Sequence, residues 1–330
     1  MNTQNDNEPA IDSITYILDT SSVRGLRADD VRLASSRFDV AVSPITVFEF
    51  LCHIDERGKK ERGLPNDVLS PLHKANLLKC RSLRLLDDPY AEQADDVGAR
   101  AVVNPTRFED RLVLPQLFPA IESSTSIEEF YSQQVRYPHG AVADIRDTAE
   151  RARNLLKEEE KRYRHHVIKW CRLMLKEFGF ERSQGFSPEE FVRFAAHAAS
   201  GLARHYADGL GSLSQEELSG PVFSATYNNT GYGIVRALEY LRKANGDIDR
   251  LNVDGNDMED SAICLHLDLT KHRILVTNDG GTRSALSSAL ENLRGASESL
   301  GTPVVAFTKV MNTEEFKEAV LPADGSSSAY

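Results

Sequence analysis

The sequence predicts an α/β fold: a central, mostly parallel sheet flanked by helices, interrupted by a long helical stretch. Two observations carry this. Short β-forming apolar runs alternate with helical patterns at both ends of the chain. Between them, from about residue 58 to 250, helical periodicity dominates and there is almost no convincing strand pattern. The 330 residues, 41% hydrophobic and 27% charged, suit a globular chain of one large or two ordinary domains.

The elements follow in order. Residues 1–13 are polar and acidic and read as a flexible tail, with no signal peptide. Ile14–Leu18 is a short buried strand ending at Asp19. Val40–Val42 is a second strand. Ser43 then caps a helix, with Pro44 at its first position, that fades near Arg57 and Gly58. A long amphipathic helix is predicted over Ile145–Phe178, where Ile145, Ala149, Ala152, Leu156, Tyr163, Val167, Cys171, Met174 and Phe178 recur at mostly three- and four-residue steps. Ser187, Pro188 and Glu190 open another helix. Asn228–Gly233, which contains two glycines, reads as a loop before a helix and matches no phosphate-binding fingerprint.

Asp254–Asp257 is a turn feeding a helix to about Thr270, and Arg273–Thr277 is a strand. Asn278–Gly281 is the turn after it, followed by a helix over Thr282–Leu293. Pro303–Phe307 is a further strand, Glu314–Leu321 a closing helix, and 322–330 a second flexible tail. The organisation is thus a discontinuous sheet domain, 14–57 with 252–321, split by a helical insertion at 58–251. Such insertions are tolerable because closure entropy grows slowly with loop length.

A net charge of −11 excludes a simple basic glove for nucleic acid. It does not exclude a nuclease whose centre needs acidic residues. No apolar run approaches the roughly 20 residues of a membrane span. Cys52, Cys80, Cys171 and Cys264 lie far apart and read as buried thiols of a reduced, cytoplasmic chain.

Four acids fall where a sheet would gather them. Asp19 directly follows a strand, and Asp279 follows another by one residue. Asp260 is in the first turn of the helix before that second strand, and Glu49 is on the helix after Val40–Val42. The carboxyl ends of parallel strands form a ligand-binding edge. Carboxylates gathered there repel one another, and Mg²⁺ or Mn²⁺, which favour oxygen ligands, would remove that repulsion. Ser21 and Thr277 flank the acids and suit ordering a water, with Asn278 a weaker candidate. Singly, each acid has a plainer reading. Glu49 lies off its helix's apolar face like a solvated residue, Asp257 and Asp260 complement a helix dipole, and Asp279 precedes two glycines like a turn residue. Their order favours a shared site.

That order also carries a resemblance. Ile17–Ser21 followed by Ser43–Phe50, then Glu259–Cys264 followed by Ile274–Asp279, with Thr313–Phe316 after the last strand, resembles the PIN-domain ribonucleases. The resemblance covers about 110 residues, near 14–57 and 252–318. It implies a Rossmann-like fold and a Mg²⁺- or Mn²⁺-dependent endoribonuclease, with Asp19, Glu49, Asp260 and Asp279 at the four acidic positions and Ser21 and Thr277 at the common polar ones. Asp257, within one helical turn of Asp260, is an alternative or auxiliary ligand. The chain departs from the small VapC-type toxins in the 210 residues between Glu49 and Asp260. A toxin, an RNA-maturation factor and a defence effector would share such a site, and DNA cleavage is an alternative. So is a non-catalytic RNA- or protein-binding module on the same fold. A phosphohydrolase of the haloacid dehalogenase type ranks last, because Ser21 stands where that chemistry wants a second Asp.

Positive surface for RNA would have to be local. Arg57, Lys59, Lys60 and Arg62 follow the Glu49 helix closely. The long helix is basic from Arg151 to Lys176 and includes Lys161, Arg162 and Arg164. It reads equally as a solvated face or as a docking surface for an inhibitor or partner protein. Self-association is a further expectation. His165 and His166 face different directions, and His197 and His205 lack ligand spacing.

Overall fold

The computed structural model describes residues 14–53, 83–89, 92, 113–124, 126–183, 186–207, 221–300 and 307–321. A five-stranded, all-parallel sheet lies at its centre. The strands are β1 (Thr15–Leu18), β2 (Asp39–Val42), β3 (Arg84–Leu85), β6 (Arg273–Val276) and β7 (Lys309–Met311), in the order β3-β2-β1-β6-β7. β4 (Gln134–Arg136) and β5 (Val142–Asp144) form a separate antiparallel hairpin.

The helices are α1 (Thr20–Gly25), α2 (Ala28–Ser35), α3 (Pro44–His53), α4 (Leu114–Ser123), α5 (Ile127–Ser132), α6 (Ile145–Ser183), α7 (Pro188–Ala207), α8 (Pro221–Lys243), α9 (Asp257–Ile263), α10 (Gly280–Leu300) and α11 (Thr313–Val320). Among the described residues, no helix is long and apolar enough to cross a membrane.

β1 pairs with β2 and β6 at once, Leu18 lying opposite Val42 and Val276. Side chains alternate faces along each strand. Tyr16, Leu18, Val40, Val42, Ile274 and Val276 enter one core with Phe48 and Phe316. Ile17, Ala41 and Leu275 enter another with Ile45, Tyr232 and Leu286. Both faces are covered, as an all-parallel sheet requires.

The chain between α3 and α9 differs from the expected run of helix. β3 joins the main sheet beside β2, and β4–β5 supplies a hairpin. These strands are only two or three residues long, too short for an alternating pattern to stand out. α6 matches the predicted long helix; its regular path breaks at Gly179, where φ is 72°. Ile145, Ala149, Ala152 and Leu156 belong to the core on the sheet, whereas Val167, Cys171 and Met174 belong to a core shared with α7, α8 and α10. α7 begins as predicted: Glu190 N–H donates to Ser187 Oγ at 3.2 Å and Ser187 N–H to the Glu190 carboxylate at 3.0 Å.

Asn228–Gly233 is a correction. It lies inside α8. A Cβ on Gly231 would come 2.9 Å from Ala289, and one on Gly233 would come 2.7 Å from the Trp170 ring. These glycines permit close helix contact and form no turn. The predicted helix from Asp257 to Thr270 ends at Ile263 and continues as a short 3-10 turn, Cys264–His266. The predicted strand at Pro303–Phe307 lies outside the described residues except Phe307, and β7 follows it. Cys52, Cys171 and Cys264 are buried free thiols.

A buried relay locks the β2–α3 junction. Ser43 Oγ lies 2.9 Å from His266 Nε2, and His266 Nδ1 lies 2.6 Å from the Glu92 carboxylate. Arg273 also reaches Glu92. His266 has no exposure, and burial holds its pKa below the ordinary value, with Glu92 opposing that shift.

Gly233→Val is expected to lower stability by about 1–3 kcal/mol through overpacking against Trp170. Gly280→Ala, where no neighbour lies within 4 Å, is expected to be neutral or slightly stabilising. Urea denaturation measures both; equal effects would contradict the packing role of Gly233.

Candidate functional site

The common register of β1, β2 and β6 ends their carboxyl termini on one edge. Asp19 leaves β1 there and caps α1, its side chain accepting Ser22 N–H at 2.7 Å. Ser21 Oγ donates to the same carboxylate at 2.9 Å. Ser21 Oγ also lies 3.2 Å from Thr277 Oγ1, just past β6, and accepts Asn278 N–H at 2.7 Å. These hydroxyls stitch the ends of β1 and β6 together across 256 positions. Both Asp19 and Thr277 are buried.

Thr277 Oγ1 accepts Asp279 N–H at 3.0 Å. Asp279 is exposed, and its carboxylate accepts Thr282 N–H at 2.7 Å at the start of α10. Thr282 Oγ1 donates to Asp260 at 2.5 Å. One hydrogen-bonded chain therefore links Asp19, Ser21, Thr277, Asp279, Thr282 and Asp260. Glu49 approaches from α3: Thr20 Oγ1 donates to it at 2.5 Å and Arg24 stands 3.8 Å away.

Electrostatics join the same acids. Burial pushes the Asp260 carboxyl up to about 8; the Thr282 hydroxyl opposes this, and Asp279, Asp19 and Asp257 add to it. Burial raises Asp19, opposed by Thr277, Ser22 and Ser21. Burial also raises Glu49, opposed by Thr20, Arg24 and His53, while the Asp19 charge adds to it. Burial thus disfavours the charged form of all three acids.

Other predicted residues have different surroundings. Asp257 is engaged by Arg236 through two contacts of 2.9 Å and by the Tyr240 hydroxyl at 2.5 Å, which ties α9 to α8. Asn278 accepts Thr313 N–H at 3.2 Å and the Thr313 hydroxyl at 3.0 Å, positioning α11. Lys161 pairs with Glu158 at 2.7 Å, Arg162 with Glu159 at 2.8 Å, and Arg164 with Glu160 at 3.8 Å. Arg57, Lys59, Lys60 and Arg62 lie outside the described residues.

Sequence reasoning missed Thr20, Thr282 and Glu259. Glu259 is 6% exposed, and burial followed by Glu49, Asp260, Glu160 and Asp254 pushes its carboxyl up to about 9. Its place beside Asp260 in an acidic helix start was the available signal.

Among the described residues, no three His, Cys, Asp or Glu side chains stand close enough together to hold one metal ion. The donors nonetheless fit Mg²⁺ or Mn²⁺ in kind. They are all oxygen, and burial favours the neutral carboxyl at Asp19, Glu49 and Asp260, which a cation would reverse. No family model, curated protein or solved structure matches the chain.

Asp260→Asn tests the crowding. An acid whose folded pKa is raised destabilises the fold as pH climbs from its unfolded value near 4 toward about 8. In EDTA, the variant is expected to gain thermal stability over the parent, with the gain growing between pH 5 and pH 9. A difference independent of pH would contradict the crowding.

Proposed function

We propose that this chain is a PIN-like, Mg²⁺- or Mn²⁺-dependent endoribonuclease, with a Rossmann-like core formed by 14–57 and 252–321 and a largely helical insertion at 58–251. The observation that carries this reading is the set of four acids, Asp19, Glu49, Asp260 and Asp279, on or beside one carboxyl edge of a parallel sheet. The strand order β3-β2-β1-β6-β7 supports it, because β1, where the order reverses, is where such sheets bind ligands.

Asp19, Asp260 and Asp279 would hold the cation, with Glu49 completing the set from α3. A bound dication would supply Lewis-acid activation of a water and offset charge on the scissile phosphate. The chain's own hydroxyls do the positioning. Ser21 and Thr277 fix Asp19, and Thr282 holds Asp260 through its hydroxyl and Asp279 through its backbone N–H. Thr20 holds Glu49.

A second reading, a non-catalytic RNA- or protein-binding module on the same fold, draws support from the absence of a gathered metal-binding trio among the described residues. Purified full-length chain, incubated with single-stranded RNA in Mg²⁺, Mn²⁺ or EDTA, separates the two. The nuclease reading predicts cleavage that needs the ion and falls on the order of 100-fold or more in Asp19→Ala and Asp279→Ala. Ion-independent cleavage, or full activity in both variants, contradicts the mechanism. Binding without turnover favours the module, and faster cutting of a matched DNA strand moves the substrate to DNA.

A further inference from the structure

α6 carries an exposed stripe of cations. Lys157, Lys161, Arg164, Lys169, Arg172 and Lys176 are all exposed, and three- to five-residue steps keep them on the outward side of the helix. The buried side of the same stretch is Leu156, Val167, Cys171 and Met174. At 1.5 Å per residue, the stripe runs about 28 Å.

Its charge is largely unspent. Glu158 pairs with Lys161, and Glu160 stands 3.8 Å from Arg164. Lys157, Lys169, Arg172 and Lys176 have no ion-pair partner among the described residues. A chain of net charge −11 thus concentrates unneutralised positive charge on one helix face.

The stripe starts beside the acid edge. Glu160 crowds Gly255, whose added Cβ would lie 2.8 Å from the Glu160 carboxylate, and its charge acts on Glu259. About two turns earlier on the same side of α6, Arg153 Nε donates to the Cys52 carbonyl of α3, one turn from Glu49. Lys157 and Lys161 are the cations of the stripe nearest in sequence to these contacts, and Lys176 is the farthest.

We propose that this face of α6 is a docking track for the phosphate backbone of single-stranded RNA, leading into the acid edge. The choice of RNA as occupant rests on the nuclease reading above; the track itself rests on the charge and geometry of α6. The cations spread over roughly 140° of the helix surface, a band that one strand of phosphates can follow. Trp170 packs against Gly233 instead of offering its ring to bases, so contact is to the backbone and independent of base sequence.

The test is binding without turnover. A fluorescent single-stranded RNA 20-mer is titrated with full-length protein in EDTA at several salt concentrations. The comparison is with the quadruple variant Lys157→Gln, Lys169→Gln, Arg172→Gln, Lys176→Gln and with Arg32→Gln, a distant exposed control. Each phosphate contact on a single strand contributes about 0.7 to the slope of log affinity against log salt, so the quadruple variant should lose about 3 in slope. Its affinity at low salt should fall more than about tenfold, with thermal stability unchanged and Arg32→Gln like the parent. The expected loss supports the track whether or not the chain cuts RNA in Mn²⁺, so it stands apart from the nuclease reading. Unchanged binding in the quadruple variant overturns it, as does parent protein that fails to bind RNA. Tighter binding of a matched DNA strand, or binding only to vesicles of anionic phospholipid, overturns RNA as the occupant. If the quadruple variant is unstable, the charge-retaining set Lys157→Arg, Lys169→Arg, Arg172→Lys, Lys176→Arg must bind like the parent; loss there also overturns the track.

Discussion

The double pairing of β1 is the constraint on which the rest of the structure depends. Four residues, Thr15–Leu18, bond in register to β2 on one side and to β6 on the other. That register brings residue 18 level with residue 276, although more than 250 positions separate them. Everything at the acid edge follows from it. Asp19, Ser43 and Thr277 are each the next residue after a strand, so they emerge together. A slip of one residue on β6 would turn Thr277 to the other face and leave Ser21 without its partner.

The edge combines two opposing demands. Parallel strands covered on both faces exclude water, which raises the cost of every charge at their ends. Yet Asp19, Asp260 and Glu259 are kept there with few cations close by. Hydroxyls from Ser21, Thr20 and Thr282 satisfy some of the acids as hydrogen-bond acceptors but do not cancel their charge. By contrast, Asp257, one turn away on α9, is fully engaged by Arg236 and Tyr240. The same short helix therefore carries one carboxylate committed to packing and two left crowded. Perturbed acids of this kind cluster at functional sites and also in structural networks.

Three strands of the central sheet, β1, β2 and β6, were legible in the sequence, as were the elements that carry the candidate acids, because they rest on short-range signals. An apolar run ending in Asp gives β1 and Asp19; Ser–Pro after Val42 gives the start of α3; Ser187 and Glu190 give the start of α7. What was not legible depends on contacts distant in sequence. Gly231 and Gly233 look like turn residues until Ala289 and Trp170 are seen pressing on them. β3 is two residues long and is a strand only because β2 lies beside it. Thr282 is an ordinary helix residue in sequence, and its role appears only when α9 brings Asp260 to it. The Ser43–His266–Glu92 relay spans three separated segments and leaves no motif.

Direct titration of Mn²⁺, followed by the paramagnetic resonance signal of the free ion, tests most sharply whether the acid edge is one functional centre. Saturable binding is expected of the parent chain, lost in Asp19→Asn and in Asp260→Asn, and retained in a folded Asp257→Asn. Binding absent from the parent, or unchanged in the first two variants, would contradict a single functional centre.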